Sequence, residues 1–88
     1  MRATDRNAGK KKAAEAKFSH RVDLPVPGAG LGRRLTDMLE WCRENVPAGT
    51  WAQHHHSERR KGEAPAAFAR FYFLYEAVAE AFRRRWLK

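Results

Sequence analysis

The first hydrophobic pattern along the chain alternates with a period of two residues. Between Phe18 and Val26, apolar residues and His20 occupy every second position, and mostly polar residues lie between them. Because successive side chains of a β-strand point to opposite faces, this spacing predicts a strand with one buried face. Pro25 belongs to the outward set, which predicts an edge position or the end of the strand.

The period changes after the turn residues 27–30. Apolar residues then recur at helical spacing and form one stripe, namely Leu31, Leu35, Met38, Leu39, Cys42 and Val46. This pattern predicts an amphipathic helix that ends before Pro47. Trp41 lies off the centre of the stripe, so we expect it to flank the core or to contact a partner.

The C-terminal half predicts two more strands and a closing helix. The strands extend from Thr50 to about Glu58 and from Phe68 to Tyr75, and the Gly and Pro residues between them predict a hairpin. Residues 76–87 repeat apolar positions at helical spacing. Their last turns contain three consecutive arginines, where positive charge interacts favourably with the helix dipole.

The element order β-α-β-β-α predicts an α+β two-layer sandwich with a three-stranded sheet and two helices on one face. We expect residues 18–88 to form a single domain and residues 1–17 to form a basic tail without fixed structure. The opposite face of the sheet is then uncovered. An uncovered antiparallel face normally carries polar residues.

The C-terminal unit Phe71-x-Phe73, five residues, Ala79-x-x-Phe82-x-x-x-Trp86 resembles the strand-to-helix ending of many small bacterial and phage α/β proteins. The unit covers less than a quarter of the chain. It is a packing pattern in which two strand aromatics face an Ala/Phe/Trp helix stripe. The resemblance therefore implies the fold and no activity.

Composition and charge narrow the class of protein. A hydrophobic content of 43% is too high for a disordered chain, and the single Cys42 excludes an intramolecular disulfide. No segment is apolar enough to predict a membrane span or a signal peptide, so we expect a cytoplasmic protein. The formal net charge is +8, and about half of the excess lies in residues 1–17. This balance favours a polyanion as partner.

The uncovered sheet face is the first candidate site. It is expected to present Arg21, Arg70 and Tyr72 to solvent. Basic side chains beside an exposed ring are typical of surfaces that bind single-stranded nucleic acid. The hairpin and the tail are expected to extend this site with Arg59, Arg60, Lys61, Lys10, Lys11 and Lys12. The rival use of the same face is self-association as a homodimer.

A glycine-rich stretch between the first strand and the first helix is the second candidate. Backbone N–H groups and two arginines at a helix start favour an anion site, predicted at Gly30, Gly32, Arg33 and Arg34. The stretch lacks the spacing of dinucleotide-binding motifs and of P-loops. A flexible turn is the competing interpretation.

The histidine triplet 54–56 is the third candidate. His54 and His56 share one face of the predicted strand and can both reach one metal ion, with Glu58 on the same face as a further ligand. A stable zinc site needs three or four protein ligands. The competing interpretation is a polar sheet surface that faces water.

A catalytic arrangement of Cys42, His20 and Asp23 meets two objections. Asp23 is predicted to point away from His20, and Cys42 lies on the apolar helix stripe, where a lone cysteine is usually a small core residue. We therefore predict a protein without enzymatic activity or cofactor that binds nucleic acid. The alternatives are a protein-interaction module, as a homodimer or a small inhibitor, and a metal- or histidine-dependent enzyme.

Overall fold

The computed structural model describes residues 12–59, 61–62 and 64–87. The elements in chain order are α1 (residues 12–17), β1 (His20–Pro25), α2 (Arg33–Asn45), β2 (Trp51–Glu58), β3 (Ala66–Phe73) and α3 (Glu76–Trp86). The predicted α+β class and the order β-α-β-β-α are confirmed. The structure adds helix α1 before them.

The sheet has the strand order β1-β3-β2, and both outer strands are antiparallel to β3. Strand β3 is therefore central, and β1 and β2 are the edges. Phe71 lies opposite Val22 on one side and opposite Gln53 on the other. Because side chains alternate along a strand, Phe71 and Phe73 face one side of the sheet and Tyr72 faces the other.

The main core lies between the sheet and the helices α2 and α3. Its centre is Phe82, which is fully buried and places its ring 4.6 Å from that of Phe71 and 5.3 Å from that of Phe73. The predicted helix stripes supply most of the remaining buried side chains, including Met38, Cys42, Val46, Ala79 and Trp86.

Helix α1 covers part of the sheet face that we predicted to be open. Ala14 and Phe18 are buried there against Tyr72, with Ala52 and Leu74 beside them. Ala14 and Phe18 are four residues apart, so they lie on the same side of a helix. The sheet thus has a helix on each face, which a layout of two helices on one face did not predict.

Two sequence-based boundaries change as a result. Phe18 precedes β1 and packs against Tyr72, so its predicted position on the face of Val22 is wrong. Residues 12–17 are helical and not part of a tail without fixed structure. Residues 1–11 of that predicted tail lie outside the described residues.

Within residues 12–59, 61–62 and 64–87, no helix is both long and apolar enough to cross a membrane.

Candidate functional site

The centre of the predicted sheet-face site is an ion-pair cluster around the buried Arg70. Arg70 donates through Nε to Asp23 Oδ1 at 2.7 Å and through Nη2 to Asp23 Oδ2 at 3.0 Å. Its Nη1 lies 3.4 Å from Glu15 Oε1 of helix α1. The Tyr72 hydroxyl donates to the same Glu15 oxygen at 3.2 Å. One guanidinium group therefore holds together β3, β1 and α1.

The electrostatics of this cluster follow from its geometry. The hydrogen bonds from Arg70 hold the pKa of Asp23 below its usual value, and the same bonds raise the pKa of Arg70. Burial raises the pKa of Tyr72, because the phenolate would lose its hydration. The three groups thus keep their ordinary charge states at neutral pH.

The predicted exposure of Arg70 and Tyr72 is wrong. Arg70 is 7% exposed and Tyr72 is fully buried, because α1 lies over the ring and two carboxylates surround the guanidinium. A base cannot stack on Tyr72 in this arrangement. Arg21, the third predicted residue of this face, is exposed.

The histidines of the triplet divide between the two sheet faces as predicted. His54 packs edge-on against Tyr72, with 5.8 Å between the ring centroids, and His56 lies 3.3 Å from Glu58 Oε1. Among the described residues, no group of three or more potential ligands could hold a metal ion. The proposed metal site at His54 and His56 therefore gains no third ligand in this part of the chain.

Cys42 lies in the core, and the catalytic arrangement that we considered does not form. The Cys42 side chain is fully buried, and Asp23 is bound to Arg70. Burial raises the pKa of the Cys42 thiol to about 12, because the thiolate would be poorly solvated. The interpretation of Cys42 as a small core residue agrees with this position.

The raised pKa leads to a simple labelling prediction. Alkylation of Cys42 by iodoacetamide at pH 8 should be slower in the native protein than in denaturant by about a thousandfold or more, because only the exposed thiolate reacts. Mass spectrometry of quenched time points would measure both rates. Equal rates in the two conditions would contradict the buried position of Cys42.

The glycine-rich stretch forms a tight connection before α2. Gly30 and Gly32 adopt positive φ angles of 84° and 55°, which glycine tolerates best. Arg34 Nη2 donates to the carbonyl oxygen of Trp86 at 2.5 Å, near the C-terminal end of α3. Arg33 is exposed and lies 4.0 Å from Asp37. Arg34 therefore joins two helix ends, while Arg33 faces solvent.

The directions of the elements place several charged segments at one end of the molecule. The antiparallel register brings the end of β1 beside the start of β3, where the hairpin from β2 arrives. The bond from Arg34 to Trp86 sets the start of α2 beside the end of α3. An open pocket of about 310 Å³, lined by Leu24, Pro25, Leu31 and Leu87 among others, connects these helix ends to the end of β1.

We call this end of the molecule the basic end. It carries exposed basic residues from three separate segments, namely Arg33 and Arg34, Arg59 and Lys61, and Arg84 and Arg85. Carboxylates also lie near it among the described residues: Asp37 beside Arg33, Glu58 beside His56, and Glu40 and Glu44 in a pocket that Arg85 also lines. At the opposite end, the last turn of α2 and the first turn of α3 contribute Arg43, Glu44 and Glu76.

The structure thus separates the predicted nucleic-acid residues. Arg59 and Lys61 are exposed at the basic end, whereas Arg70 and Tyr72 are buried in the middle of the sheet. Lys12 is exposed on α1. Arg60, Lys10 and Lys11 lie outside the described residues.

Sequence reasoning missed two groups of residues. Glu15 was assigned to the tail, although the composition of residues 12–17 and the four-residue spacing of Ala14 and Phe18 are typical of a helix with one apolar side. Arg84 and Arg85 were assigned only to the helix dipole. The position of this end of α3 beside α2 depends on how the two helices pack, and no local pattern shows it.

The basic end is chemically suited to bind oxyanions. An arginine guanidinium group can donate to two phosphate oxygens at once, and lysine adds a compact positive charge. Comparisons with known protein families, with curated proteins and with solved structures find no match to this chain.

Proposed function

We propose that this is a non-enzymatic protein that binds nucleic acid through the phosphate backbone at its basic end. The observation that supports this proposal is the convergence of exposed arginines and a lysine from α2, the hairpin and α3 at one end. The sheet face that first suggested nucleic-acid binding has no part in it, because Arg70 and Tyr72 are buried.

The start of α2 gives a further physical reason. Helix N-termini carry partial positive charge and favour acidic residues, yet the first turn of α2 has no acidic residue and contains Arg33 and Arg34. A bound phosphate would interact favourably with the helix dipole and with both arginines. Solubility alone would be served as well by bases placed elsewhere.

The end of α3 adds a second contact region. The Arg85 guanidinium lies over the Trp86 ring, 4.1 Å from its centroid. A guanidinium group stacked on an aromatic ring is held in one orientation and can still donate along its edge. Arg84 is exposed beside it. These residues and Arg33 can contact one phosphate backbone that passes across the helix ends.

The experiment is fluorescence anisotropy with labelled single-stranded RNA and duplex DNA across a salt series. Arg33→Gln combined with Arg84→Gln should weaken binding about tenfold or more. It should also make the negative slope of log association constant against log salt concentration shallower by about 2, because two phosphate contacts are lost. The matched control is Arg21→Gln combined with Arg43→Gln. It removes the same charge away from the basic end and should change binding far less.

The outcomes separate the basic end from a general charge effect. Equal losses in the two double variants would contradict the basic end as the site. A chain lacking residues 1–11 keeps α1, so it tests the predicted contribution of Lys10 and Lys11 without uncovering Tyr72. Absence of binding by the full chain at low salt would overturn the proposal.

The proposed location is the cytoplasm. Cys42 is a free thiol buried in the core, and its packing requires no oxidising compartment. Fractionation of cells that express the tagged protein would test this location directly.

A further inference from the structure

The two edge strands of the sheet differ in whether their outward-pointing backbone N–H and C=O groups are blocked from pairing with another strand. In an antiparallel ladder, residues that bond to the neighbouring strand alternate with residues whose N–H and C=O groups point away. The Leu74 N–H donates to the Thr50 carbonyl oxygen, and these residues lie opposite each other when the β2–β3 pairing is continued by one residue. The Val26 N–H donates to the Ala67 carbonyl oxygen, and these residues lie opposite each other when the β1–β3 pairing is continued in the same way. These two bonds fix which residues point outward.

Strand β1 is a blocked edge. By this alternation its outward residues are Arg21, Asp23 and Pro25. Arg83 Nη2 donates to the Arg21 carbonyl oxygen at 3.2 Å, and Pro25 has no N–H group to offer. Charged side chains, proline and a covered backbone are the devices by which proteins prevent pairing at an edge.

Strand β2 has none of these devices along most of its length. Its outward residues are Trp51, Gln53, His55 and Ser57. From Trp51 to Ser57 the strand contains no proline, lysine, arginine or carboxylate. Within the described part of the chain, β2 pairs only with β3. It is therefore an uncharged edge that is long enough to accept another strand.

We propose that a second copy of this chain pairs with the β2 edge in antiparallel orientation, which joins two sheets into one of six strands. The register that uses all four outward residues is centred on His54. It places Trp51 opposite the partner's Ser57, and Gln53 opposite the partner's His55.

Side-chain complementarity favours a second copy as the occupant. In this register the large Trp51 meets a small serine, Ala52 meets the partner's His56, and the Gln53 amide meets an imidazole with which it can form a hydrogen bond. Glu58 and Arg59 of each copy lie beyond the paired residues. The two copies place these residues at opposite ends of the interface, so like charges do not meet.

The pairing goes beyond nucleic-acid binding and is independent of it. A two-fold axis perpendicular to the sheet keeps α2 and α3 of both copies on one face. It also directs the two basic ends away from each other. The dimer is measured by mass and the proposed function by nucleic-acid anisotropy, so either can fail without the other.

The first test is the mass in solution by analytical ultracentrifugation. We expect a concentration-dependent species of twice the 10.2 kDa chain mass. Gln53→Pro should abolish it while the fold persists, because the Gln53 N–H points away from β3 and proline removes no bond within the sheet. His55→Lys, which adds charge to the same edge, should act in the same direction and provides a second variant.

The second test determines which residues of the two copies lie opposite each other. His54→Cys should form an intermolecular disulfide on mild oxidation, because non-hydrogen-bonded antiparallel pairs bring their Cα atoms to about 4.5 Å. The matched control is Ser57→Cys, which lies far from its own copy in this register. A monomeric mass for the native chain up to about 1 mM would overturn the proposal. A dimer unaffected by Gln53→Pro and His55→Lys would also overturn it.

Discussion

Phe82→Ala is expected to lower the free energy of unfolding by about 3–5 kcal/mol. Phe82 is fully buried, and its ring contacts the rings of Phe71, Phe73, Trp41 and Trp86. Truncation removes these contacts and leaves a cavity between the sheet and the helices, which the surrounding side chains can fill only in part. For a chain of this length the total stability is about 4–13 kcal/mol, so the loss is a large fraction of the total and leaves a fold that unfolds at a clearly lower urea concentration.

Urea unfolding followed by tryptophan fluorescence and circular dichroism would measure this loss. Tyr75→Ala is the matched control, because Tyr75 is a large aromatic residue that is 51% exposed just before the same helix. It should cost less than about 1 kcal/mol. A loss for Phe82→Ala no larger than the loss for Tyr75→Ala would contradict the central position of Phe82.

Arg70→Met is expected to cost about 2–3 kcal/mol. The substitution keeps most of the buried aliphatic volume. It removes the guanidinium group that binds Asp23 of β1 and Glu15 of α1. Asp23 then remains in a partly buried site without its guanidinium partner, and Glu15 keeps only its hydrogen bond with the Tyr72 hydroxyl among those described above. Their partial exposure to water places the expected cost below that of a fully buried pair.

The dependence on pH distinguishes the loss of the ion pair from a loss of packing. The folded pKa of Asp23 lies below its unfolded value, so the pair stabilises the fold above the ordinary carboxyl pKa of about 4. This contribution is lost as the pH falls through the folded pKa of Asp23. The difference in stability between the native protein and Arg70→Met should therefore narrow from about pH 5 downward.

Thermal unfolding of both proteins between pH 2 and pH 7 would test this expectation. Arg33→Gln is the control, because Arg33 forms an exposed ion pair with Asp37 that is expected to contribute less than about 0.5 kcal/mol. A difference between the native protein and Arg70→Met that stays constant over this range would show that packing alone explains the loss.

The ion-pair cluster around Arg70 also explains how α1 is held on the second face of a small sheet. Helix α1 and the residue after it bury only Ala14 and Phe18, which is little apolar area for a separate layer. The contacts of Glu15 with Arg70 and with the Tyr72 hydroxyl add directional bonds to this small cluster. An ion pair of this kind selects one position for the helix, whereas apolar contacts alone would permit several.

The sequence by itself determined the elements that have a strong period. Alternation in β1, the helical stripe of α2 and the aromatic spacing of β3 and α3 all predicted the observed elements and most of the core. Each of these patterns is local, because the period of a strand or a helix fixes which side chains share a face. The position of Cys42 in the core followed from the same reasoning.

Only the tertiary structure decided how those faces are used. The alternation placed Arg70 and Tyr72 opposite the main core, but it contained no information that α1 returns to cover them. The basic end depends on the bond between Arg34 and Trp86, which are 52 residues apart. The blocked β1 edge likewise depends on Arg83, which comes from α3. Such contacts form between distant segments, and a local period determines a face without determining its neighbour.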